Sequence, residues 1–241
     1  MMDLIIFDKD GVLLDLTQTW LPVARDITHY ISELTDHEVP ASVFQDIIGI
    51  DEASGKIDPD GLFAAGSFLD QQAAFAVRRP SLAPLFSTEA FGARIKAIVD
   101  NNAARPPAPL GDIATSLTRL ADMGYQMAVL TNDSEASARR SLSALSVSSF
   151  FTHIIGYDSG YGGKPAPEGF LAICEWCGVS ADKTIMVGDT GADRAVAKAA
   201  GAGRFIGISQ TYPKPTKALE GVRDILPSIE GLAAQIGPKT D

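Results

Sequence analysis

Along the 241 residues, clusters of reactive side chains follow short apolar runs. Asp8 and Asp10 come directly after Leu4–Phe7, and Thr131-Asn132-Asp133 after Gln126–Leu130. A Gly-rich stretch, Gly160-Tyr-Gly-Gly-Lys164-Pro165, comes after His153–Ile155. Asp189 and Asp193, four apart, follow residues 184–187. Several carboxylates gathered at one place repel one another, so a hard cation with oxygen ligands belongs among them. Taken singly, each cluster has a plainer reading. Asp8 and Asp10 could close an Asx turn, Asp189 and Asp193 could be a helix N-cap and a solvated helix face, and Thr131 and Lys164 an ordinary strand Thr and loop Lys. Their ordered recurrence after apolar runs is the stronger signal.

The elements that would position them are legible as periodicities. Residues 4–7, 126–130, 153–155, 184–187 and 205–208 are Ile-, Val- and Leu-rich runs of strand length. Residues 113–123, 134–145, 168–177 and 192–200 carry helical spacing. That alternation predicts an α/β fold, a Rossmann-like parallel sheet core with helices on both faces. Ligands of such sheets sit beyond the carboxyl ends of the strands, where these clusters fall. Between residues 16 and 105 no strand-like run appears. Helical periodicity in Trp20, Val23, Ala24, Ile27, Tyr30, Ile31 and Leu34, and again in Leu69, Ala73, Ala76 and Val77, predicts an inserted all-helical cap domain. The core would then be 1–15 with 106–241. The proline-rich exit, Arg105-Pro-Pro-Ala-Pro109, suits a stiff hinge. Residues 211–216 read as a surface loop and 238–241 as a frayed tail.

Asp8-Lys-Asp-Gly-Val-Leu-Leu-Asp15, Thr131, Lys164 in Lys-Pro-Ala-Pro, and Gly188-Asp189 through Asp193 resemble, in order, the motifs of the haloacid dehalogenase superfamily. The resemblance is to its phosphoglycolate phosphatase-like branch, whose helical cap is inserted after the first core strand. It implies a magnesium-dependent phosphatase that hydrolyses a small phosphomonoester through an aspartyl phosphate. Asp8 would be the nucleophile, and Asp10 the general acid and then base. Thr131, the amide of Asn132 and Lys164 would hold the phosphate. Mg2+ would be held by Asp8, the Asp10 carbonyl and Asp189, with Asp193 ligating directly or through water. Two rivals share these motifs: a phosphomutase of the β-phosphoglucomutase type and a non-catalytic regulatory module of the same fold. A dehalogenase fits less well, because that branch lacks the second carboxylate that Asp10 provides.

Lys9 departs from the small or apolar residue common between the two aspartates. On a continuing strand it would face away from both and pair elsewhere. The same Asp-Lys pair begins the phosphorylation motif of ion-pumping ATPases, which carry Thr where Asp10 stands. The Gly160–Lys164 stretch fails as a nucleotide-binding loop, since Asp158 stands where its first Gly is required and Pro165 where its Ser or Thr is. Cys174 and Cys177 lack further ligands of zinc spacing and, with Phe170 and Leu171, predict an apolar helix face. His29, His37 and His153 approach no Ser or Cys motif. Residues 49–56, with Lys56, and then Arg78 and Arg79 are the candidates for substrate choice in the cap.

A net charge of −10 opposes electrostatic binding to nucleic acid or an anionic membrane. The first residues form neither a signal peptide nor a membrane span, and two cysteines make no disulfide framework. A reduced, cytoplasmic protein is therefore expected, and the resemblance implies that it acts on a small phosphorylated metabolite.

Overall fold

A computed structural model describes the chain except residues 1, 59, 67, 103–104, 212, 214–215 and 239–241. The expected loop at 211–216 and tail at 238–241 lie partly outside the described residues. The chain divides into a unit of residues 1–15 with 107–241 and a unit of residues 16–106. It opens with β1 (Leu4–Phe7) and then enters the second unit. There it forms α1 (Leu16–Glu33), α2 (Ala41–Ile48), β2 (Ile50–Asp51), β3 (Lys56–Ile57), α3 (Leu62–Ala65), α4 (Phe68–Arg78), α5 (Ala83–Phe86) and α6 (Glu89–Asn102). Back in the first unit follow α7 (Ile113–Asp122), β4 (Gln126–Leu130), α8 (Glu135–Ala144), β5 (His153–Ile155), α9 (Glu168–Cys177), β6 (Thr184–Gly188), α10 (Gly191–Ala200), β7 (Arg204–Ile208), β8 (Ile225–Leu226) and α11 (Leu232–Ile236).

The first unit is the α/β core. Its six strands are parallel and ordered β5-β4-β1-β6-β7-β8. Both faces are covered, which is why the strands read as unbroken apolar runs. Ile5, Phe7, Met127, Val129, Ile185 and Val187 pack with Leu117, Leu120, Leu142 and Leu232. The alternate residues Leu4, Ile6, Ala128, Leu130 and Met186 pack with Phe170, Ile173 and Val196 on the other face. Caps set the helix ends. The side chains of Asp112, Ser134 and Thr190 accept from amides of the first turns of α7, α8 and α10. β8, at the sheet edge, is a strand that the sequence reading misses, because two residues carry no period.

The second unit is helical apart from an antiparallel ribbon that pairs Ile50 with Ile57 and Asp51 with Lys56. Its turn is tied by Asp51, whose carboxylate accepts from the amides of Ala53 and Ser54 and from the Ser54 hydroxyl. The α1 pattern holds, with Val23, Ala24, Ile27 and Ile31 buried. The α4 pattern does not. Leu69 and Val77 are 74% and 85% exposed, while Gln71 and Phe75 point inward. Phe75 wins this choice because its ring meets Phe44 edge-on, with centroids 5.3 Å apart. A similar rotation corrects α9: Phe170, Ile173 and Cys174 are buried, Leu171 is exposed, and Cys177 is only half-buried. Among the described residues, no helix is long and apolar enough to cross a membrane.

Candidate active site

β1 lies between β4 and β6, so the loops that follow these three strands emerge side by side. Asp8 still continues the ladder, its amide donating to the Val187 carbonyl at 2.9 Å. Beyond it the strand ends. The amides of Leu13 and Leu14 donate to the Lys9 carbonyl, and Gly11 turns at φ +78°. Gly11 is needed for two reasons. Its φ is left-handed, and a Cβ there would stand 2.0 Å from an oxygen of Asp189. This turn is what lets the Asp189 carboxylate lie against the first loop.

Oxygens of Asp8, Asp189 and Asp193, all three side chains buried, come within 4.8 Å of one another. Lys164, itself buried, places its ammonium 2.7 Å from Asp8 Oδ1 and 2.6 Å from Asp193 Oδ1. The lysine is held by its own backbone: the Asn132 side-chain amide donates to the Lys164 carbonyl at 3.0 Å and accepts from its N–H at 2.7 Å. Asn132 thus acts as a clamp through its side chain, a role that its position in the sequence does not reveal. Thr131 is buried beside it and accepts from the Asp133 amide at 3.1 Å.

Asp193 differs from the other two acids. Its Oδ2 accepts from the amides of Asp189 and Thr190 and from the Thr190 hydroxyl, closing a capping box at the start of α10, while Oδ1 takes Lys164. Asp193 therefore caps α10 while its other oxygen faces the acidic cluster. Asp189 is the opposite case, because its Oδ1 is buried without a hydrogen-bond partner. Burial first, then Asp193, push the Asp8 carboxyl up to about 7, with Lys164 opposing. Burial, Asp8 and Asp193 hold Asp189 well above the usual carboxylate range. Burial works against the charge on Lys164, but Asp193 and Asp8 outweigh it and its pKa is raised. An orphaned buried carboxylate oxygen beside two further acids is a place short of positive charge, and these hard oxygen donors fit a divalent cation such as Mg2+.

Lys9 corrects the sequence reading. The chain leaves strand geometry after Asp8, so the two-residue alternation lapses, and the fully buried Lys9 ammonium lies 2.6 Å from Asp10 and 3.3 Å from Asp133. Asp10 is thereby paired with its neighbour and keeps a side-chain exposure of 20%. Lys9 and Asp133 are the participants that sequence reasoning missed. The signal was a cation between two acids, with a third acid after Thr131-Asn132. In the insertion, residues 49–56 build the ribbon, where Glu52 pairs with Arg25, and Arg79 pairs with Glu38. Arg78 is exposed at the end of α4. His37 reaches Ser32, and the His153 ring lies tilted at 46° against Trp176.

Residues 2–201 match the model of the haloacid dehalogenase-like hydrolase family. A phosphoglycolate phosphatase from Rhodospirillum rubrum is 28% identical over 236 residues, 97% of this chain and 90% of that protein. Among solved structures, a predicted phosphoglycolate phosphatase from Haemophilus somnus shares the fold at a TM-score of 0.72 and 20% identity, over 98% of both chains. The L-2-haloacid dehalogenase of Xanthobacter autotrophicus does so at 0.63 and 16%, again over 98% of both. One architecture thus carries more than one reaction, and the residues at the strand ends must decide between them. With Asp8, Asp10, Thr131, Lys164, Asp189 and Asp193 in place at those ends and the match spanning most of its length, the chain belongs to the haloacid dehalogenase-like hydrolase family.

Proposed function

We propose that the chain is a magnesium-dependent phosphatase that hydrolyses a small phosphomonoester of the phosphoglycolate or sugar-phosphate type. The observation that carries this is the buried Asp8–Lys164–Asp193 cluster with the unpartnered Asp189 oxygen beside it. Asp8 and Asp189, with the Asp10 carbonyl, are the groups that would hold Mg2+, while Asp193, its oxygens already engaged, fixes Lys164 and the α10 cap. When bound, the cation supplies positive charge to the phosphate oxygens and to the carboxylates around it.

Asp8 is the nucleophile of a two-step displacement, which splits one slow hydrolysis into two. Lys164 and the N–H groups following Thr131 neutralise the equatorial oxygens, where the charge of the transition state lies. Asp10, the more exposed carboxylate, donates its proton to the leaving oxygen and later takes one from water. The nearly full-length likeness to the Rhodospirillum enzyme makes 2-phosphoglycolate the first ester to test. The free thiols Cys174 and Cys177 suit a reducing compartment, the cytoplasm.

The test is phosphate release from a panel of small phosphate esters with and without magnesium. Wild type should hydrolyse at least one ester only with the metal. Asp8→Asn should lose more than about 10⁴-fold in kcat with the circular dichroism spectrum unchanged. Undiminished hydrolysis by Asp8→Asn sinks the mechanism.

A further inference from the structure

Two lysines are buried among the described residues, and only Lys164 has a task in the reaction above. The side chain of Lys9 is completely buried, where an apolar chain of similar length would pack as well without the cost of removing an ammonium from water. Its ammonium bridges two carboxylates, Asp10 at 2.6 Å and Asp133 at 3.3 Å. Asp133 is in turn fixed. Its Oδ1 accepts from the Ser134 amide at 2.7 Å, and its carbonyl accepts from the Tyr157 amide at 3.1 Å. The start of α8 therefore anchors Asp133, Asp133 anchors Lys9, and Lys9 reaches the carboxylate of Asp10.

We infer that Lys9, anchored by Asp133, is the positioning residue for Asp10, holding its carboxylate where it serves the leaving oxygen and then the attacking water. This rests on the acid–base role proposed for Asp10. In the first displacement an oxygen of Asp8 bonds to phosphorus, the bond from phosphorus to the leaving oxygen breaks, and that oxygen takes the Asp10 proton. In the second, a water oxygen bonds to phosphorus, its proton passes to Asp10, and the bond from phosphorus to Asp8 breaks, releasing phosphate. Lys9 exchanges no proton and touches no reacting atom. Its loss removes this hold on the Asp10 carboxylate, which slows the steps that need a proton moved and spares the one that does not.

p-Nitrophenyl phosphate separates these steps, because p-nitrophenolate leaves unprotonated. Lys9→Met, mixed rapidly with it in the presence of magnesium, should release about one p-nitrophenolate per folded protein at close to the wild-type rate, then turn over about 100-fold more slowly. With an alkyl phosphate the variant should show no burst, and kcat should fall about 100-fold at unchanged KM. A smaller burst with all esters slowed alike would show a structural role only, and wild-type turnover would show none; either overturns the inference. Should Lys9→Met fail to fold, Lys9→Met with Asp133→Asn removes the stranded charge and should show the same burst and stall.

Asp10→Asn separates the two readings. If it turns over like wild type, the acid–base role fails; if it stalls while Lys9→Met does not, only the Lys9 inference fails. In metal-free protein the Tm losses of Lys9→Met and Asp10→Asn should not add in the double variant, and additive losses would count against the contact.

Discussion

The two units bury polarity in different ways. Every buried charge among the described residues (Asp8, Lys9, Lys164, Asp189 and Asp193) belongs to the core unit. The insertion buries only neutral polar groups, namely Thr28, Ser32, Thr35, Gln45 and Gln71. Its ion pairs, such as Arg25–Glu52 at 37% and 50% exposure, lie at the surface. Buried ion pairs are weak devices for stability, because desolvation offsets most of the attraction. A unit that gathers five such groups at its strand ends has been shaped by chemistry. One that keeps its charges outside and fills its interior with Phe44, Phe75 and Phe91 has been shaped by packing.

Breaking one member of the core cluster tests this contrast most severely. Lys164→Met strands Asp8 and Asp193 in the interior. It should abolish phosphate release and lower stability by about 3–5 kcal/mol, read by denaturant unfolding. The matching change in the insertion, Arg25→Ala, should cost less than about 1 kcal/mol. Equal losses would erase the distinction between the units.

Packing should dominate in the insertion. Phe75→Ala removes a fully buried ring and should cost about 3–5 kcal/mol, whereas Leu69→Ala, on the exposed side of α4, should fall within about 0.5 kcal/mol. A reversed order would restore the helix face expected from the apolar spacing. Metal should act on the core alone. Magnesium at 100 times its dissociation constant should stabilise the wild type by about 2.7 kcal/mol, a gain that Asp189→Ala should lose while variants in the α4–α2 interface keep it.

A pH-dependent effect concerns a surface pair of the core. Arg204, through its hydrogen bond, holds the Asp224 carboxyl below its ordinary value, with Gln235 adding to the effect. A depressed acid contributes stability above its unfolded pKa and loses it as pH falls through the folded one. Asp224→Asn should thus cost up to about 1 kcal/mol at pH 7, and the gap from wild type should close in acid, below the usual carboxylate range. A gap that persists at low pH would assign the loss to packing.

The core was largely readable in advance. Strands 126–130 and 153–155 and helix 168–177 keep their expected bounds, because buried parallel strands are unbroken apolar runs and caps punctuate the helices. The insertion was less readable. Apolar spacing in α4 fits two faces, and only the neighbouring Phe44 ring chooses between them. The ribbon at residues 50–57 is too short to show a period.

By itself, the sequence determined which groups stand at the strand ends, since Asp8, Thr131, Lys164 and Asp189 are fixed by position along the chain. Only the tertiary structure decided what each of them faces. Asp193 both caps α10 and holds Lys164, Asn132 clamps the lysine backbone, and Lys9 turns back onto Asp10. Side-chain direction after the end of a strand depends on the turn that follows and on the strands alongside, and neither is encoded in a local period. The order β4-β1-β6, set by long-range pairing, is what brings Asp133 to Lys9 and Asp189 to the loop after β1 from three distant stretches of chain.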